Sequence, residues 1–444
     1  MNENQPSNTG LADRYALFRV FKTFRTDQQG KAQMSSTIDV AIVGAGVAGI
    51  ACARTLARNG VGVRIYESSS RVGGRLGSRL VDDIWCDLGF QVSMSNYTAL
   101  ESLVPRTQVT RRSFVPGAVV WDGRRHVRIV DPKASPLSAL KPLMAGLVRP
   151  RDLLAVLRCR RWANKVLAGS GRDGTAAEVL SDAGFSSRFI EQFLRPFFGG
   201  VFLDESLSVP ADRFLRTLHR FASGRAELPE GGMQQLAEAM SEPIRSSIEF
   251  ECEVASIEPG AGVRCVDGAF KEADVVVLAT PLDASLALLG RSDEAAAVGW
   301  SSTTALHFTS PDPVFDEPII VLNGSGEGAL NLICSPTSVA PGYRDDGRHS
   351  ILVSSRPCPS GSPGIDADAA RHEAGVMLGL DSSSWELIEV QRIDRALPIV
   401  DRRAVRQSIP AGVHLVGDGM GDPSIETAVQ SGIDAARAIV DSPT

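Results

Sequence analysis

The chain has 444 residues, of which 43% are hydrophobic and 22% are charged, and its formal net charge is −6 at pH 7. This length predicts two domains, and the negative charge argues against a protein-wide basic field for nucleic acid. Seven cysteines and six histidines are scattered without C-x-x-C, H-x-H or H-E-x-x-H spacing. That pattern indicates reduced thiols in a cytoplasmic protein and no protein-bound metal. No apolar run reaches the roughly 20 residues of a membrane-spanning helix.

An apolar strand, a glycine-rich turn and a helix are predicted near the start of the globular part of the chain. Gly44, Gly46 and Gly49 follow a strand at 38–43 in G-x-G-x-x-G spacing and lead into a helix over about 47–58. The first glycine permits a tight turn, the second lets backbone approach a pyrophosphate, and the third lets the helix pack close to the strand. The N–H groups at the start of the helix then point at the phosphates. This arrangement predicts dinucleotide binding.

The segment after the next strand distinguishes between dinucleotides. Glu67 ends that strand, and a carboxylate there accepts hydrogen bonds from ribose hydroxyls and repels a 2′-phosphate. Residues 71–75, Arg-Val-Gly-Gly-Arg, follow at once. They resemble the GG-R motif of the flavin-dependent amine oxidase, phytoene desaturase and protoporphyrinogen oxidase superfamily. The resemblance implies FAD, with Gly73 and Gly74 against its diphosphate and Arg75 paired with the diphosphate charge. On residues 71–75 alone, a solvated surface turn remains the alternative.

Several later stretches resemble the same superfamily in chain order. Residues 87–91 resemble its D-x-G stretch, in which Gly89 approaches the flavin ring, although a plain strand-to-turn glycine explains them equally well. Residues 228–233 resemble the P-x-G-G-M segment of the desaturases. Val254 lies where the family reads adenine through backbone groups, and 273–281 resemble the strand that closes the nucleotide-binding domain.

A Gly-Asp pair before a C-terminal helix resembles the second FAD fingerprint of the superfamily. A strand at 413–416 leads to Gly417 and Asp418, and a capped helix is predicted over 424–440. The resemblance implies that Asp418 hydrogen-bonds the ribityl chain and that the helix N-terminus near Ile425 faces the flavin N1–C2=O edge. That edge becomes negative on reduction, so the positive end of a helix dipole favours the reduced state.

The resemblance predicts non-covalent FAD in an α/β fold, with a Rossmann-like FAD-binding domain around a parallel sheet and an inserted, discontinuous α+β substrate domain. The predicted segments are a flexible N-terminal extension (1–36), the FAD-binding domain (37–102, 228–290 and 389–444) and the substrate domain (103–227, mostly helical, and 291–388). The residues predicted to bind FAD are Gly44, Ala45, Gly46, Val47, Ala48, Gly49, Glu67, Ser68, Gly73, Gly74, Arg75, Gly89, Val254, Gly417, Asp418 and Ile425.

Residues 136–170 combine basic and apolar side chains. They hold seven lysines and arginines against one acid, Asp152, in a chain whose total charge is −6. Such a stretch suits either a peripheral contact with an anionic membrane or an ordinary solvated helix face. The aromatic run at 193–203 likewise suits either an apolar substrate cavity or core packing.

The reaction implied by the resemblance is hydride transfer from a substrate C–H to flavin N5, with the protein supplying placement and exclusion of water. We nominate no catalytic acid–base pair, and only analogy places Asp394 and Arg395 near the ring. Many amine oxidases of the superfamily hold a lysine at flavin N5, whereas this chain has no lysine after Lys271. This absence favours the desaturase-like or protoporphyrinogen-oxidase-like branch of the superfamily, with a small apolar substrate. An amine oxidase that releases hydrogen peroxide and an isomerase that uses reduced FAD are the alternatives.

Overall fold

The computed structural model describes residues 40–130, 141–344, 346–359, 364–399 and 409–442. The extension predicted at 1–36 therefore lies outside the described residues. The β-strands are β1 (Val40–Val43), β2 (Val63–Tyr66), β3 (Ser78–Val81), β4 (Ile84–Asp87), β5 (Ser93–Met94), β6 (Arg111–Ser113), β7 (Gly117–Trp121), β8 (His126–Val130), β9 (Ala226–Pro229), β10 (Ile248–Glu249), β11 (Val254–Glu258), β12 (Gly262–Cys265), β13 (Phe270–Glu272), β14 (Val275–Leu278), β15 (Gly299–Ser310), β16 (Ile320–Asn323), β17 (Leu330–Cys334), β18 (His349–Ser355), β19 (Cys358–Pro359), β20 (Glu386–Ile399) and β21 (Val413–Leu415).

The α-helices are α1 (Val47–Arg58), α2 (Thr98–Leu103), α3 (Lys141–Met144), α4 (Pro150–Leu167), α5 (Ala176–Ala183), α6 (Ser187–Phe189), α7 (Arg195–Phe202), α8 (Ala211–Ser223), α9 (Gln234–Ser241), α10 (Leu282–Leu288), α11 (Ser292–Ala296), α12 (Pro336–Val339), α13 (Ala367–Leu378) and α14 (Ile425–Val440). A π-helical turn, Ile190–Leu194, joins α6 to α7. Helices α1 and α14 have the bounds that the sequence predicts, and the Ser424 hydroxyl caps α14 by accepting the Thr427 N–H at 3.1 Å.

A five-stranded parallel sheet in the order β10-β2-β1-β14-β21 carries the first glycine turn. Its central strands β1 and β14 are apolar throughout because both faces of the sheet are covered. Ile42 and Val277 face one core cluster, while Ala41 and Val276 face the other. The five strands come from widely separated parts of the chain, so this sheet brings the early and late sequence motifs together.

Helix α14 crosses close to α1 on this sheet. A Cβ atom at Gly432 would lie 2.2 Å from the Ala48 carbonyl oxygen, so only glycine allows this approach. The contact joins the C-terminal helix directly to the helix that begins at the G-x-G-x-x-G turn. The packing of these two helices fixes the position of the C-terminal motif relative to the N-terminal one.

A larger mixed sheet in the order β19-β15-β18-β17-β16-β7-β8, with β20 also paired to β15, forms the second layer. It is antiparallel except where β16 runs parallel to β7. A separate helical cluster packs beside it, built on α4, α5, α7 and α8. Phe198 lies at the centre of that cluster, with ring centroids 4.8 Å from Phe214 and 5.9 Å from Phe202.

The predicted α/β fold, with its parallel sheet, is confirmed. The sequence interpretation missed strands β6, β7 and β8, which lie inside the segment 103–227 that it described as mostly helical. The sequence contains a hairpin signal here, because Asp122-Gly123 lies between two valine-containing runs. In the structure Gly123 has φ of +92°, as a tight hairpin turn requires. The domain boundaries themselves stay predictions. Among the residues described, no helix has the length and apolarity needed to cross a bilayer.

Candidate functional site

The first glycine turn and the GG-R turn are bonded to one another. The Gly73 N–H donates to the Ala45 carbonyl at 2.8 Å, and Gly46 pairs with Gly73 in a parallel bridge. A Cβ atom at Gly74 would lie 3.5 Å from the Gly46 Cα. The two turns therefore form one glycine-lined surface at the carboxyl ends of β1 and β2, the position at which open α/β sheets bind ligands.

The roles predicted for the first three glycines have clear geometric counterparts. Gly44 has φ of +102°, in the region that favours glycine. A Cβ atom at Gly49 would lie 2.1 Å from the Gly44 carbonyl oxygen, so α1 can begin here only with glycine. At Gly46 the nearest atom to a Cβ would be the Ala279 carbonyl oxygen at 3.8 Å, which leaves the backbone open to an approaching group. Val47 and Ala48 form the buried first turn of α1 behind this surface.

Glu67 directly follows β2 at the edge of the glycine-lined surface. Its Oε2 accepts the Ala45 N–H at 2.6 Å, and its Oε1 accepts the Ser69 N–H at 2.9 Å and the Ser69 hydroxyl at 2.7 Å. Ser68 is exposed beside it. Each carboxylate oxygen has two lone pairs, so Oε2 keeps acceptor capacity for a ribose hydroxyl. The Cys252 N–H donates to the Glu67 carbonyl at 2.9 Å and so brings the start of β11, at Val254, alongside.

The C-terminal motif reaches the GG-R turn through one ion pair. The Arg75 guanidinium donates from Nη1 to Asp418 Oδ2 at 2.9 Å, and its Nη2 contacts the other oxygen of the same carboxylate. Gly417 has φ of +134° and nothing within 4 Å of the position of a Cβ atom. The sequence predicts that Arg75 and Asp418 face different parts of FAD. The structure places them in direct contact, so both ends of the predicted binding site are assembled.

Trp300, at the start of β15, is a residue that the sequence interpretation missed. The guanidinium carbon of Arg75 lies 5.5 Å from the centroid of its ring. Its indole Nε1 is buried and has no hydrogen-bond partner within the described part of the chain. A buried donor without a partner costs about 1–3 kcal/mol. Nothing in the local sequence marks Trp300, because the contact depends on the tertiary position of β15.

These observations fit FAD as the group held here. An open glycine surface meets a helix N-terminus, a carboxylate stands at the end of β2, and an arginine and an aspartate stand at the far end. Together they offer backbone N–H groups for phosphate, acceptors for hydroxyls and a cation for the diphosphate charge. The buried Trp300 donor is aimed at no protein acceptor. The individual FAD contacts of the residues predicted from the sequence stay predictions.

Gly89 lies against β20, on the side of the site that faces the mixed sheet. Its N–H donates to Gln391 Oε1 at 3.1 Å, and a Cβ atom there would lie 2.9 Å from Ile393 Cδ1. The Ala396 carbonyl of the same strand accepts from Arg75 at 3.1 Å. The side chains of Asp394 and Arg395 point to other partners: Asp394 accepts from Arg392 at 2.8 Å, and Arg395 pairs with Asp283 at 3.1 Å. Backbone of β20, rather than its charged side chains, thus contacts the site.

A buried polar network supports the segment that carries Gly89. The Asp87 carboxylate accepts from the Ser78 hydroxyl at 2.5 Å, from the Tyr343 hydroxyl at 2.6 Å and from the Met233 N–H at 2.9 Å. Burial raises the pKa of Asp87 to about 6. The His307 ring contacts the Asp87 carbonyl through Nε2 at 3.1 Å, and burial lowers the pKa of His307 to about 4. His307 is therefore neutral near pH 7 and donates from Nε2 to this carbonyl.

Glu426, in the first turn of α14, serves a second helix. Its carboxylate accepts the Ala99 N–H at 2.9 Å and the Leu100 N–H at 3.1 Å, and so caps the N-terminus of α2. Ile425 opens α14 immediately after the cap at Ser424. The sequence interpretation placed this helix start at the flavin edge. The structure adds that the charged side chain of its first turn is engaged with α2.

An apolar wall stands next to Gly89. Phe90 packs with Phe193, Phe197, Leu322 and Leu332 in one cluster between the mixed sheet and the π-helical turn. The two leucines are buried, but the three aromatic rings are only partly buried. In the aromatic run 193–203, Phe198 and Phe202 are buried in the helical core, whereas Phe193 and Phe197 are partly buried and pack against both that core and the cluster beside Gly89. A π-helical turn, as at Ile190–Leu194, is frequently found at functional sites.

Comparison with known proteins identifies the family. The model of the family described as "Flavin containing amine oxidoreductase" matches residues 47–440 of the chain. The chain belongs to this family. It is 28% identical over 271 residues to a putative flavin-containing monoamine oxidase, AofH, of Mycobacterium tuberculosis. The aligned region covers 55% of this chain and 57% of that protein. It is also 36% identical over 110 residues to a carotenoid phi-ring synthase of Streptomyces griseus. That aligned region covers 23% of this chain and 21% of the synthase.

The fold is shared with solved flavoenzymes. A structure of putrescine oxidase bound to putrescine superposes with a TM-score of 0.69, 16% sequence identity and coverage of 91% of this chain and 99% of that chain. At this identity the likeness shows the fold alone. Family membership assigns FAD and oxidoreductase chemistry to the chain and confirms both predictions. The chain spans just over half the length of the M. tuberculosis relative that it matches.

Proposed function

We propose that the protein dehydrogenates an apolar substrate: a hydride leaves one carbon for the flavin, a proton leaves the neighbouring carbon to solvent, and a double bond forms between them. FAD supplies the hydride acceptor when it is bound. The observation that carries the proposal is the apolar wall of Phe90, Phe193 and Phe197, which begins one residue after Gly89. Partly buried aromatic rings next to a predicted cofactor face suit a substrate that offers shape and apolar surface rather than charge.

The composition of strand β15 supports the proposal that the substrate is apolar. Gly299–Ser310 contains no lysine, whereas the resemblance predicts that many amine oxidases hold one on this strand. Thr303 and Thr304 of β15 are buried and bonded to Ser355 of β18, with the Thr304 N–H donating to the serine hydroxyl at 2.9 Å. The Thr303 hydroxyl and the Thr304 N–H thus join β15 to β18. His307 is likewise committed to the Asp87 carbonyl.

The cofactor contacts that we propose follow the geometry of the site. The glycine surface of Gly44, Gly46, Gly73 and Gly74 holds the diphosphate, and Glu67 holds the adenosine ribose. Backbone of β11 at Val254 contacts the adenine. Arg75 and Asp418 separate from each other far enough to bond the diphosphate and the ribityl chain.

Amine oxidation is the second candidate. It is supported by the similarity to the putative monoamine oxidase of M. tuberculosis and by the shared fold with putrescine oxidase. The two candidates differ in what the cavity must bind. An amine oxidase would be expected to place a hydrogen-bond acceptor beside aromatic rings at the substrate nitrogen, whereas a dehydrogenase for an apolar substrate needs mainly shape.

Anaerobic reduction of the bound flavin separates the two candidates. The purified FAD-loaded protein is mixed with partly saturated polyenes and cyclic hydrocarbons, and separately with a panel of primary and secondary amines. Bleaching of the flavin absorbance reports hydride transfer in both arms. The proposal expects bleaching with at least one apolar compound and no bleaching with amines. Bleaching by amines alone, with hydrogen peroxide released when oxygen is admitted, would establish the amine oxidase instead.

A further inference from the structure

The face of helix α4 that points away from the protein is apolar at its centre. Leu153, Leu154 and Leu157 are exposed to 49%, 56% and 52%. Residues three and four apart are neighbours on a helix surface, so these three side chains form one patch. Met144, at the end of α3 just before α4, is exposed to 87%. Single exposed leucines are normal on a protein surface, but an adjacent group of this kind marks an interaction site.

The opposite face of α4 explains why the leucines are not used in the core. The buried residues of the helix are Asp152, Ala155, Cys159, Ala163 and Val166. Most of these side chains are small, which lets α4 pack closely in the helical cluster. The core contact is complete without the leucines. The outward leucines are absent from the buried face of the helix, and about half of the surface of each is exposed.

The outward face is also strongly basic. Six exposed basic residues lie on α4 and at its N-terminus: Arg149, Arg151, Arg158, Arg160, Arg161 and Lys165. Asp152, the one acid of residues 136–170, is buried. Its carboxylate accepts the Arg149 N–H at 2.7 Å and the N–H and hydroxyl of Ser186 at 2.5 Å and 2.8 Å. The acid thus joins α4 to α6, and its charge does not reach the surface that carries the arginines.

We infer that this face, defined by Leu153, Leu154, Leu157 and the basic residues of α4, binds the surface of an anionic phospholipid bilayer. Leucines at the centre enter the boundary between headgroups and acyl chains, and the flanking arginines contact anionic headgroups. The charge of this face is opposite to that of such a membrane, although the net charge of the whole chain is −6. An acidic protein surface would match the arginines but not three adjacent leucines. This inference does not depend on the proposed reaction.

Vesicle sedimentation tests the inference with the full FAD-loaded protein. The probes are vesicles of equal parts phosphatidylglycerol and phosphatidylcholine, and vesicles of phosphatidylcholine alone. Each basic residue near an anionic surface contributes about fivefold in partition, so we expect at least about a hundredfold preference for the anionic vesicles, reduced by salt. Absence of the wild-type protein from the anionic pellet at low salt would overturn the inference.

Matched variants separate the contribution of the leucines from that of the charges. We expect Leu154→Ser/Leu157→Ser to lower partition about tenfold. We expect Arg160→Glu/Arg161→Glu to lower it more than about twenty-five-fold. The control Leu80→Ser/Leu380→Ser, at positions exposed to 55% and 44% outside α4, should bind like the wild type. Unchanged flavin absorbance confirms that each variant is folded.

Two results would contradict the inference even if the wild type binds vesicles. If the leucine variant binds as well as the wild type, the contact is electrostatic only and no apolar insertion occurs. If the wild type is a dimer in size-exclusion chromatography and the leucine variant is a monomer with unchanged vesicle binding, the patch is an interface with a second copy of the chain.

Discussion

The nucleotide-binding region and the substrate-facing region of this protein differ in how well local sequence patterns predict them. At the glycine-lined surface, recognition is a matter of backbone conformation: Gly44 is required by its φ of +102° and Gly49 by the close approach of the Gly44 carbonyl oxygen. Beside Gly89, the wall is made by Phe90, Phe193 and Leu322, which converge from distant segments. The spacing of residues along the chain therefore predicts the glycine-lined surface but does not predict the apolar wall. The cofactor is therefore better defined than the substrate.

The largest expected effect is at Gly49. A Cβ atom there would lie 2.1 Å from the Gly44 carbonyl oxygen, so Gly49→Ala must move α1 away from the turn. We expect a loss of unfolding free energy of about 3 kcal/mol and loss of bound FAD. Gly171→Ala, where nothing lies within 4 Å of the new atom, is the control and should change stability by less than about 0.5 kcal/mol. Urea unfolding and flavin absorbance measure both, and an FAD-replete Gly49→Ala protein would remove the geometric basis of the site.

Asp87 and His307, the buried pair that supports the Gly89 segment, should have opposing effects on the pH dependence of stability. Asp87 has a pKa raised to about 6, so its contribution to stability is full below the unfolded value near 4 and is lost as the pH rises to 6. His307 has a pKa lowered to about 4, so its contribution is full above 6.5 and is lost as the pH falls to 4. Each is worth about 3 kcal/mol at most, and the two nearly cancel between pH 4 and 6.5.

Single substitutions should expose each contribution. Asp87→Asn should lose stability on acidification from pH 6.5 to 4, and His307→Gln should gain stability over the same range. Both replacements can keep a hydrogen bond to the present partners. Chemical unfolding at several pH values measures the slopes. Parallel pH profiles for the wild type and both variants would show that neither group titrates as its burial implies.

The next effect concerns the ion pair that joins the two ends of the cofactor site. Asp418→Ala and Arg75→Ala should each weaken FAD binding about tenfold or more, since each removes a charge-assisted hydrogen bond worth about 1.5–3 kcal/mol. Equilibrium dialysis of FAD measures this change. Arg79→Ala, which breaks an exposed pair with Glu389, is the control and should leave the affinity unchanged. If both variants keep wild-type affinity, the ion pair is structural and does not open toward the cofactor.

How far sequence predicts this molecule depends on the kind of contact. The bounds of α1, the cap at Ser424 and the acid at Glu67 follow from local chemistry, and the structure has each where it was predicted. Trp300 and Tyr343 were missed because their partners, Arg75 and Asp87, are distant in sequence. The hairpin of β7 and β8 was missed although its Asp-Gly turn gave a local signal.

The smallest expected effect is in the substrate-facing region. Phe193→Ala removes a partly buried ring from the apolar wall, so we expect a loss of only about 1–2 kcal/mol in stability and no loss of FAD. If the wall binds substrate, flavin reduction by an apolar compound should slow about tenfold. Phe198→Ala in the helical core provides the contrast, with a larger loss of stability. Loss of FAD from Phe193→Ala would mean that the two regions are not separate.

The most direct test of the account is the FAD content of the folded Glu67→Lys protein. Glu67 lies between the first glycine turn and Ser69, and the account makes it the acceptor for the adenosine ribose. Glu272→Lys, at an exposed position of β13, is the control. We predict one FAD per chain in the wild type and in the control, and none in Glu67→Lys. A folded Glu67→Lys protein that retains its full complement of FAD would contradict the account.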